Sequence, residues 1–218
     1  MKFLQNIKDG FTLAEVLITL VIVGVIAAMT IPTLMNNTNK QEYVSRLKKA
    51  YSTLSQATNR IIAEEGNPRG DIGGWGTSTE AIFNMYKKYL SNAKVCGTDT
   101  TGCFDGTYKN LNNTSANMNT NSHYKLIMAD GTELAVTQGW HNFSSDCSES
   151  YVGANDICQL ITIDINGAKK PNKTGYDVFS LTLKENGLYP TGCDFDFCEG
   201  TDGWGCTCKV LREGAINY

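Results

Sequence analysis

The sequence predicts an α+β protein, in which a long N-terminal helix with a membrane-length first part packs on a four-stranded antiparallel sheet. Three observations carry this. Residues 11 to 31 are an apolar run of 21 residues with one charge, Glu15. From Val44 to Ile61, apolar side chains recur at three-four spacing. The distal third holds four short runs rich in β-branched residues.

The apolar run comes first. At helical rise, its length matches the roughly 30 Å hydrocarbon core of a bilayer. Lys2 and Lys8 precede it and no basic residue follows before Lys40. The positive-inside rule therefore leaves the N-terminus in the cytoplasm and sends the body outside. The segment after the run, "TIPTLMNNTNK", has no A-x-A-like cleavage site of a secretory signal. A plain signal anchor fits the length but leaves Glu15 unexplained, since an acid at mid-membrane costs roughly 2.5–3.5 kcal/mol and calls for a cationic partner.

Beyond the run the helix continues. Pro32 predicts a kink, and "NNTN" at 36–39 a weakened turn. The stripe Val44, Leu47, Tyr51, Leu54, Thr58 and Ile61 predicts one buried face, with Arg46, Lys48, Lys49, Arg60, Glu64 and Glu65 mostly off it. Gly66, Pro68 and Gly70 end the helix. The division is thus 1–10 leader, 11–32 membrane helix, 33–66 amphipathic continuation and 67–218 exported domain.

The stretch "GDIGGWG" (70–76) has the glycine density of a phosphate loop without its lysine, and reads as a connection. A second helix is predicted over 78–90, capped by Ser78 or Thr79, with Ile82, Phe83, Tyr86 and Leu90 on one face. The asparagine-rich "YKNLNNTSANMNTN" (108–121) reads as an exposed loop. "HYKLIM" and "TELAVT" flank "ADG" as a hairpin, and "ICQLITIDI" and "YDVFSLTL" supply two further strands.

Eight cysteines lie between Cys96 and Cys208 in a chain of 218 residues, an even number that suits disulfides in an oxidising compartment. Cys96 with Cys103, and Cys147 with Cys158, can each close a short loop. Cys206 and Cys208 are expected to pair with Cys193 and Cys198 rather than with each other. A zinc site from these last four is the alternative, disfavoured by irregular spacing. Between the last two strands lies "DINGAKKPNKTGYD" (164–177), whose Asp164, Asn166 and Asp177 are hard oxygen ligands suited to calcium. The spacing does not match an EF-hand, and a hairpin loop turning on Asn166-Gly167 and Asn172 is the competing reading.

Enzymatic signals are missing from the pattern. His123 and His141 sit in no recognisable metal or triad motif, and neither G-x-S-x-G nor H-E-x-x-H occurs. The formal charge of −3, without a long basic block, gives no electrostatic reason to expect nucleic acid.

The stretch "GFTLAEVLITLVIVGVIAAMTIP" resembles the N-terminal segment of type IV pilins and type II secretion pseudopilins. The shared features are a short basic leader ending in Gly10, an aromatic Phe11, Glu15 and a membrane-length helix ending near a proline. The resemblance implies a ladle-like fold with a disulfide-bounded C-terminal region. It implies that a prepilin peptidase cuts between Gly10 and Phe11, methylates the new amine of Phe11, and that Glu15 meets a neighbouring subunit's Phe11 amine during assembly. It further implies related or identical pilin subunits, an inner-membrane assembly platform and membrane lipid as partners, and no cofactor except calcium, which some pseudopilins bind in a comparable distal loop. The protein would reside in the inner membrane and then in a periplasmic or surface filament. A pilus, a secretion pseudopilus and a DNA-uptake filament share this N-terminal chemistry. The alternative is a membrane-tethered binding module or a minor tip pilin that works through exposed loops such as "CEGTDGWGC" around Trp204.

Overall fold

The computed structural model describes residues 11–68, 78–118, 120–137, 147–151, 154–193, 198 and 202–218. The predicted leader with Gly10, the 70–76 glycine stretch, His141 and part of the loop before Trp204 lie outside them. The chain divides into two compact units, Met1–Asn39 and Lys40–Tyr218.

Helix α1 spans Leu13–Glu65. It continues through Pro32, where the sequence predicts an opening. Proline removes one N–H from the ladder, and once a helix is nucleated each further residue adds cheaply. On either side, Thr30 Oγ1 donates to the Ile26 carbonyl at 3.0 Å and Thr38 Oγ1 to that of Leu34 at 2.9 Å. Over Leu13–Pro32 the helix is predominantly apolar and exposed.

The second unit is α+β. Helix α2 covers Thr79–Tyr89, and its N-cap is Ser78, whose Oγ accepts from Ala81 N at 3.1 Å. The strands are β1 (Asn92–Gly97), β2 (Tyr108–Lys109), β3 (Ser115–Ala116), β4 (His123–Met128), β5 (Glu133–Thr137), β6 (Glu149–Tyr151), β7 (Ala154–Asp164), β8 (Val178–Lys184) and β9 (Gly187–Pro190). Helix α3, Cys206–Glu213, ends on Gly214 in the left-handed conformation, φ 67°.

The sheet is larger than the four strands expected. Among the described residues it has seven, in the order β1-β4-β5-β7-β8-β9 with β6 also on β7, and every pairing is antiparallel. The four expected strands are its centre, β4, β5, β7 and β8. The added ones are short or bulged, so alternation has little length over which to show.

Packing follows the helical stripe. Val44, Leu47, Leu54, Thr58 and Ile61 are buried against Leu126, Leu134, Ile161, Ile163, Phe179 and Leu181 of the sheet, while Tyr51 is half-buried. Each fully buried leucine or isoleucine contributes roughly 1.5–3 kcal/mol. Helix α2 adds Ile82, Phe83 and Tyr86 to the same core. Its Tyr86 hydroxyl lies 2.6 Å from Thr58 Oγ1, so two buried polar groups satisfy each other.

The opposite face of β8, set by the period-two alternation, carries Val178, Ser180 and Thr182. There Thr207 of α3 donates from Oγ1 to the Ser180 carbonyl at 2.7 Å and accepts from Ser180 N at 3.1 Å. The asparagine-rich stretch differs from the exposed loop predicted. It forms the β2–β3 ribbon and contributes Tyr108, Ala116 and Met118 to a second apolar cluster with Phe104, Ala135 and Val178. Three apolar side chains diluted among asparagines are enough to anchor it.

Candidate assembly site at the helix N-terminus

A helix start leaves backbone N–H groups without intrahelical acceptors. Here Thr12 precedes Leu13 as the N-cap, and Glu15 is the third helical residue. Thr12 Oγ1 accepts from Glu15 N at 3.3 Å. In return Glu15 Oε2 accepts from Thr12 N at 2.8 Å and from Thr12 Oγ1 at 2.7 Å. This reciprocal arrangement is a capping box. It turns the one carboxylate of the apolar segment back toward residue 11. The sequence signal was present in "TLAE", a T-x-x-E pattern ahead of an apolar run, but reading Glu15 only as an anomalous charge overlooks Thr12.

The surroundings of this site are apolar and open. Leu13–Pro32 is 20 residues long, apolar enough to cross a membrane, and none of it is buried by the rest of the chain. Phe11, the first described residue, is 89% exposed. A segment of this length and composition fits membrane anchoring.

The distal loop brings the three predicted oxygen ligands together. Asp164 ends β7 and Asp177 immediately precedes β8; both are fully buried. Asn166 Nδ2 donates to Asp177 Oδ2 at 3.1 Å, and Asn166 N donates to Asp164 Oδ1 at 3.1 Å. Asp177 also accepts from Asn172 N at 2.8 Å and Lys173 N at 2.6 Å. Tyr108 donates to Asp164 Oδ2 at 2.9 Å. Burial, and then the neighbouring Asp177 charge, push the Asp164 carboxyl up to about 8. Burial likewise raises Asp177, against the pull of the Lys173 and Asn172 N–H groups.

Calcium takes six to eight oxygens. The oxygens left without a donor here are Asn166 Oδ1 and Asn172 Oδ1, and a cation on Asp177 would have to displace N–H donors. Among the described residues no group of three or more His, Cys, Asp or Glu stands in metal-holding geometry. As arranged, Asp177 is held by N–H donors of its own loop, while Asn166 Oδ1 and Asn172 Oδ1 have no donor.

The cysteines form four disulfides, Cys96–Cys103, Cys147–Cys158, Cys193–Cys208 and Cys198–Cys206. No cysteine is free, so the zinc alternative for the last four falls. The two local loops pair as their spacing suggests, and Cys206 and Cys208 pair with Cys198 and Cys193 and not with each other. His123 is buried at the start of β4, and burial lowers its pKa, which keeps the ring neutral. Trp204 is half-buried against the second apolar cluster.

No curated protein and no solved structure matches the chain. A family model does match, the prokaryotic N-terminal methylation motif, over residues 6–31. Those residues include the capped carboxylate and the apolar helix just described. The chain therefore carries, at residues 6–31, the N-terminal methylation motif that is the signature of type IV pilin and pseudopilin precursors.

Proposed function

We propose that this chain is a structural subunit of a type IV pilus or type II secretion pseudopilus, held in the inner membrane, cleaved after Gly10 and assembled through its N-terminal helix. The observation that carries the reading is an exposed membrane-length helix, inside the matched motif, whose single carboxylate is Glu15. The motif implies processing by a prepilin peptidase and assembly with other pilin subunits, a role that asks for no catalysis.

The chemistry supports that role. Cleavage frees the Phe11 amine, an ammonium at the end of a helix otherwise compatible with lipid. In a bundle of such helices from which water is excluded, a carboxylate from one subunit and an ammonium from the next relieve each other's desolvation only in register. Glu15 is then the register device, and the apolar stripe around it supplies the contact area. The exported domain, closed by four disulfides, is the part displayed.

The test is the intact mass and N-terminal sequence of the protein in sheared cell-surface material, with and without reductant, for the wild type and Glu15→Ala. The expected chain starts at methylated Phe11 and gains the mass of eight hydrogens on reduction. Glu15→Ala should remain folded, cleaved and membrane-bound while vanishing from the sheared fraction. A chain that starts at Met1 and stays in membranes overturns the reading.

A further inference from the structure

We propose that the face of the exported domain around Tyr176 docks on anionic phospholipid headgroups of the membrane that Leu13–Pro32 enters. The inference rests on the membrane anchoring read above.

Three stretches of chain build this face. The loop "GAKKPNK", residues 167–173, carries Lys169, Lys170 and Lys173. Lys173 Nζ lies 5.5 Å from the centre of the Tyr176 ring, and Lys40 Nζ, from α1, lies 5.6 Å from the same ring. Tyr176 meets Tyr218 edge to face with ring centres 6.0 Å apart, and Lys209 Nζ stands 6.0 Å from the Tyr218 ring. Tyr43 of α1 donates from its hydroxyl to the Lys170 carbonyl at 3.5 Å. All three tyrosines are half-buried, so each offers part of its ring and the domain holds the rest.

The positive charge of this face has no internal answer. Lys40 Nζ donates to the Ile216 carbonyl at 2.9 Å and Lys173 Nζ to Asn113 Oδ1 at 2.9 Å, both neutral acceptors. Among the described residues no carboxylate pairs with Lys40, Lys169, Lys170 or Lys173. Elsewhere on the domain Lys49 is matched by Asp130 and Lys88 by Glu65. Of the acids around the patch, Glu42 is held by Arg46 at 2.8 Å and Asp177 is fully buried on its own N–H donors, while Glu213 reaches Tyr218 electrostatically. Cations gathered among neutral groups attract an anion from outside the chain.

Position along the chain selects that anion. Lys40 opens the second unit and follows Pro32 by eight residues, a reach of at most about 28 Å even when fully extended. The headgroup layer is therefore the charged surface that the anchor keeps within range of this patch. Tyrosine suits the same place, because a ring with a hydroxyl fits the boundary between apolar and wet layers. A lysine close to an anionic membrane surface strengthens binding about five-fold, and the attraction fades within a Debye length, about 8 Å at physiological salt.

The experiment places the full-length protein in vesicles of phosphatidylcholine, alone or mixed with phosphatidylglycerol, and labels its lysines with an uncharged amine reagent read peptide by peptide in a mass spectrometer. Lys87 of α2, exposed and carried by a helix that packs beside Thr58, is the internal reference. Relative to Lys87, Lys40, Lys170 and Lys173 should react about five-fold more slowly in the phosphatidylglycerol vesicles, a difference that about 1 M salt removes. Lys170→Gln combined with Lys173→Gln should return Lys40 to nearly its rate in phosphatidylcholine. Equal rates in the two vesicles overturn the docking, and so does a double variant in which Lys40 stays as slow as in the wild type. Slowing of Lys87 to the same degree overturns it as well, since the surface would then act on the whole domain. Slowing in both vesicles that grows with protein density overturns it in favour of a second copy covering the patch. Chains that fail to float with either vesicle overturn the membrane anchoring itself.

Discussion

Asp164 gives the exported domain a pH dependence that one substitution should remove. Its carboxyl is fully buried at the end of β7, directly across the ladder from Glu133 and beside Asp177. Tyr43, Tyr108 and Glu133 also interact with this pair electrostatically, and no cation is among the groups that set the Asp164 pKa. In the folded domain Asp164 keeps its proton up to about pH 8, against an ordinary 3.8 in the unfolded chain. Between those values the folded state binds one more proton than the unfolded state, so stability falls as pH rises. The slope is about 1.4 kcal/mol per pH unit well below pH 8 and half that at pH 8, so the loss is roughly 2.3 kcal/mol between pH 6 and pH 8. For a protein of this size that corresponds to a melting temperature lower by roughly 5–10 °C at the higher pH. Asp164→Asn is a neutral isostere that can still accept from Asn166 N and donate to Tyr108. Thermal unfolding of both proteins, full-length in detergent, at pH 6, 7 and 8 is the assay. Glu133 and His123 titrate in both proteins, so the difference between the two curves isolates Asp164. The wild type should lose stability relative to Asp164→Asn across this window. Parallel curves would refute the assignment of a held proton to Asp164.

Leu54 is completely buried between α1 and the sheet, so Leu54→Ala should cost roughly 2–5 kcal/mol, read as a lower urea midpoint at unchanged slope. An effect below about 0.5 kcal/mol would mean that α1 does not rely on this contact in solution. Because the 164–177 loop is closed by its own N–H donors, millimolar calcium should leave the melting temperature where it is. A bound ion at a hundred times its dissociation constant would instead add about 2.7 kcal/mol, so a rise of several degrees would overturn the self-closed loop.

The elements legible in the sequence are those whose pattern is long compared with its period. The stripe from Val44 to Ile61 repeats often enough to show its face, and α2 announces both its cap, Ser78, and its buried residues. The hairpin of β4 and β5 turns on Ala129, Asp130 and Gly131 as read, with Gly131 at φ 85°. What escaped is short or carried by tertiary contacts. Strand β1 pairs with β4 through two irregularities in register, so its alternation is broken before it can be recognised. Strand β9 is four residues long, although Asn186-Gly187 between two apolar runs was a usable hairpin signal. Helix α3 hides because two of its eight residues are disulfide cysteines, and its position is fixed by covalent bonds and by Thr207 on Ser180. At the candidate site, Glu15 stands out as the one charge in a membrane-length run, while Thr12 looks like any small polar residue until its hydroxyl is seen on that carboxylate.

Glu15 and Asp177 are carboxylates held by hydrogen-bond donors in different settings. Each carboxylate is answered by backbone N–H groups, Thr12 for Glu15 and Asn172 with Lys173 for Asp177. Around Asp177 the donors come from two successive amides and an asparagine, both carboxylate oxygens are used, and the group is fully buried. Displacing the Asn172 N–H would leave a buried donor unpaired at a cost of about 1–3 kcal/mol. Around Glu15 the donors converge on one oxygen at an exposed helix end, and the second oxygen accepts nothing from Thr12. A cation can therefore join without breaking the cap. On the filament reading, that second oxygen is the atom a neighbouring subunit's ammonium would meet.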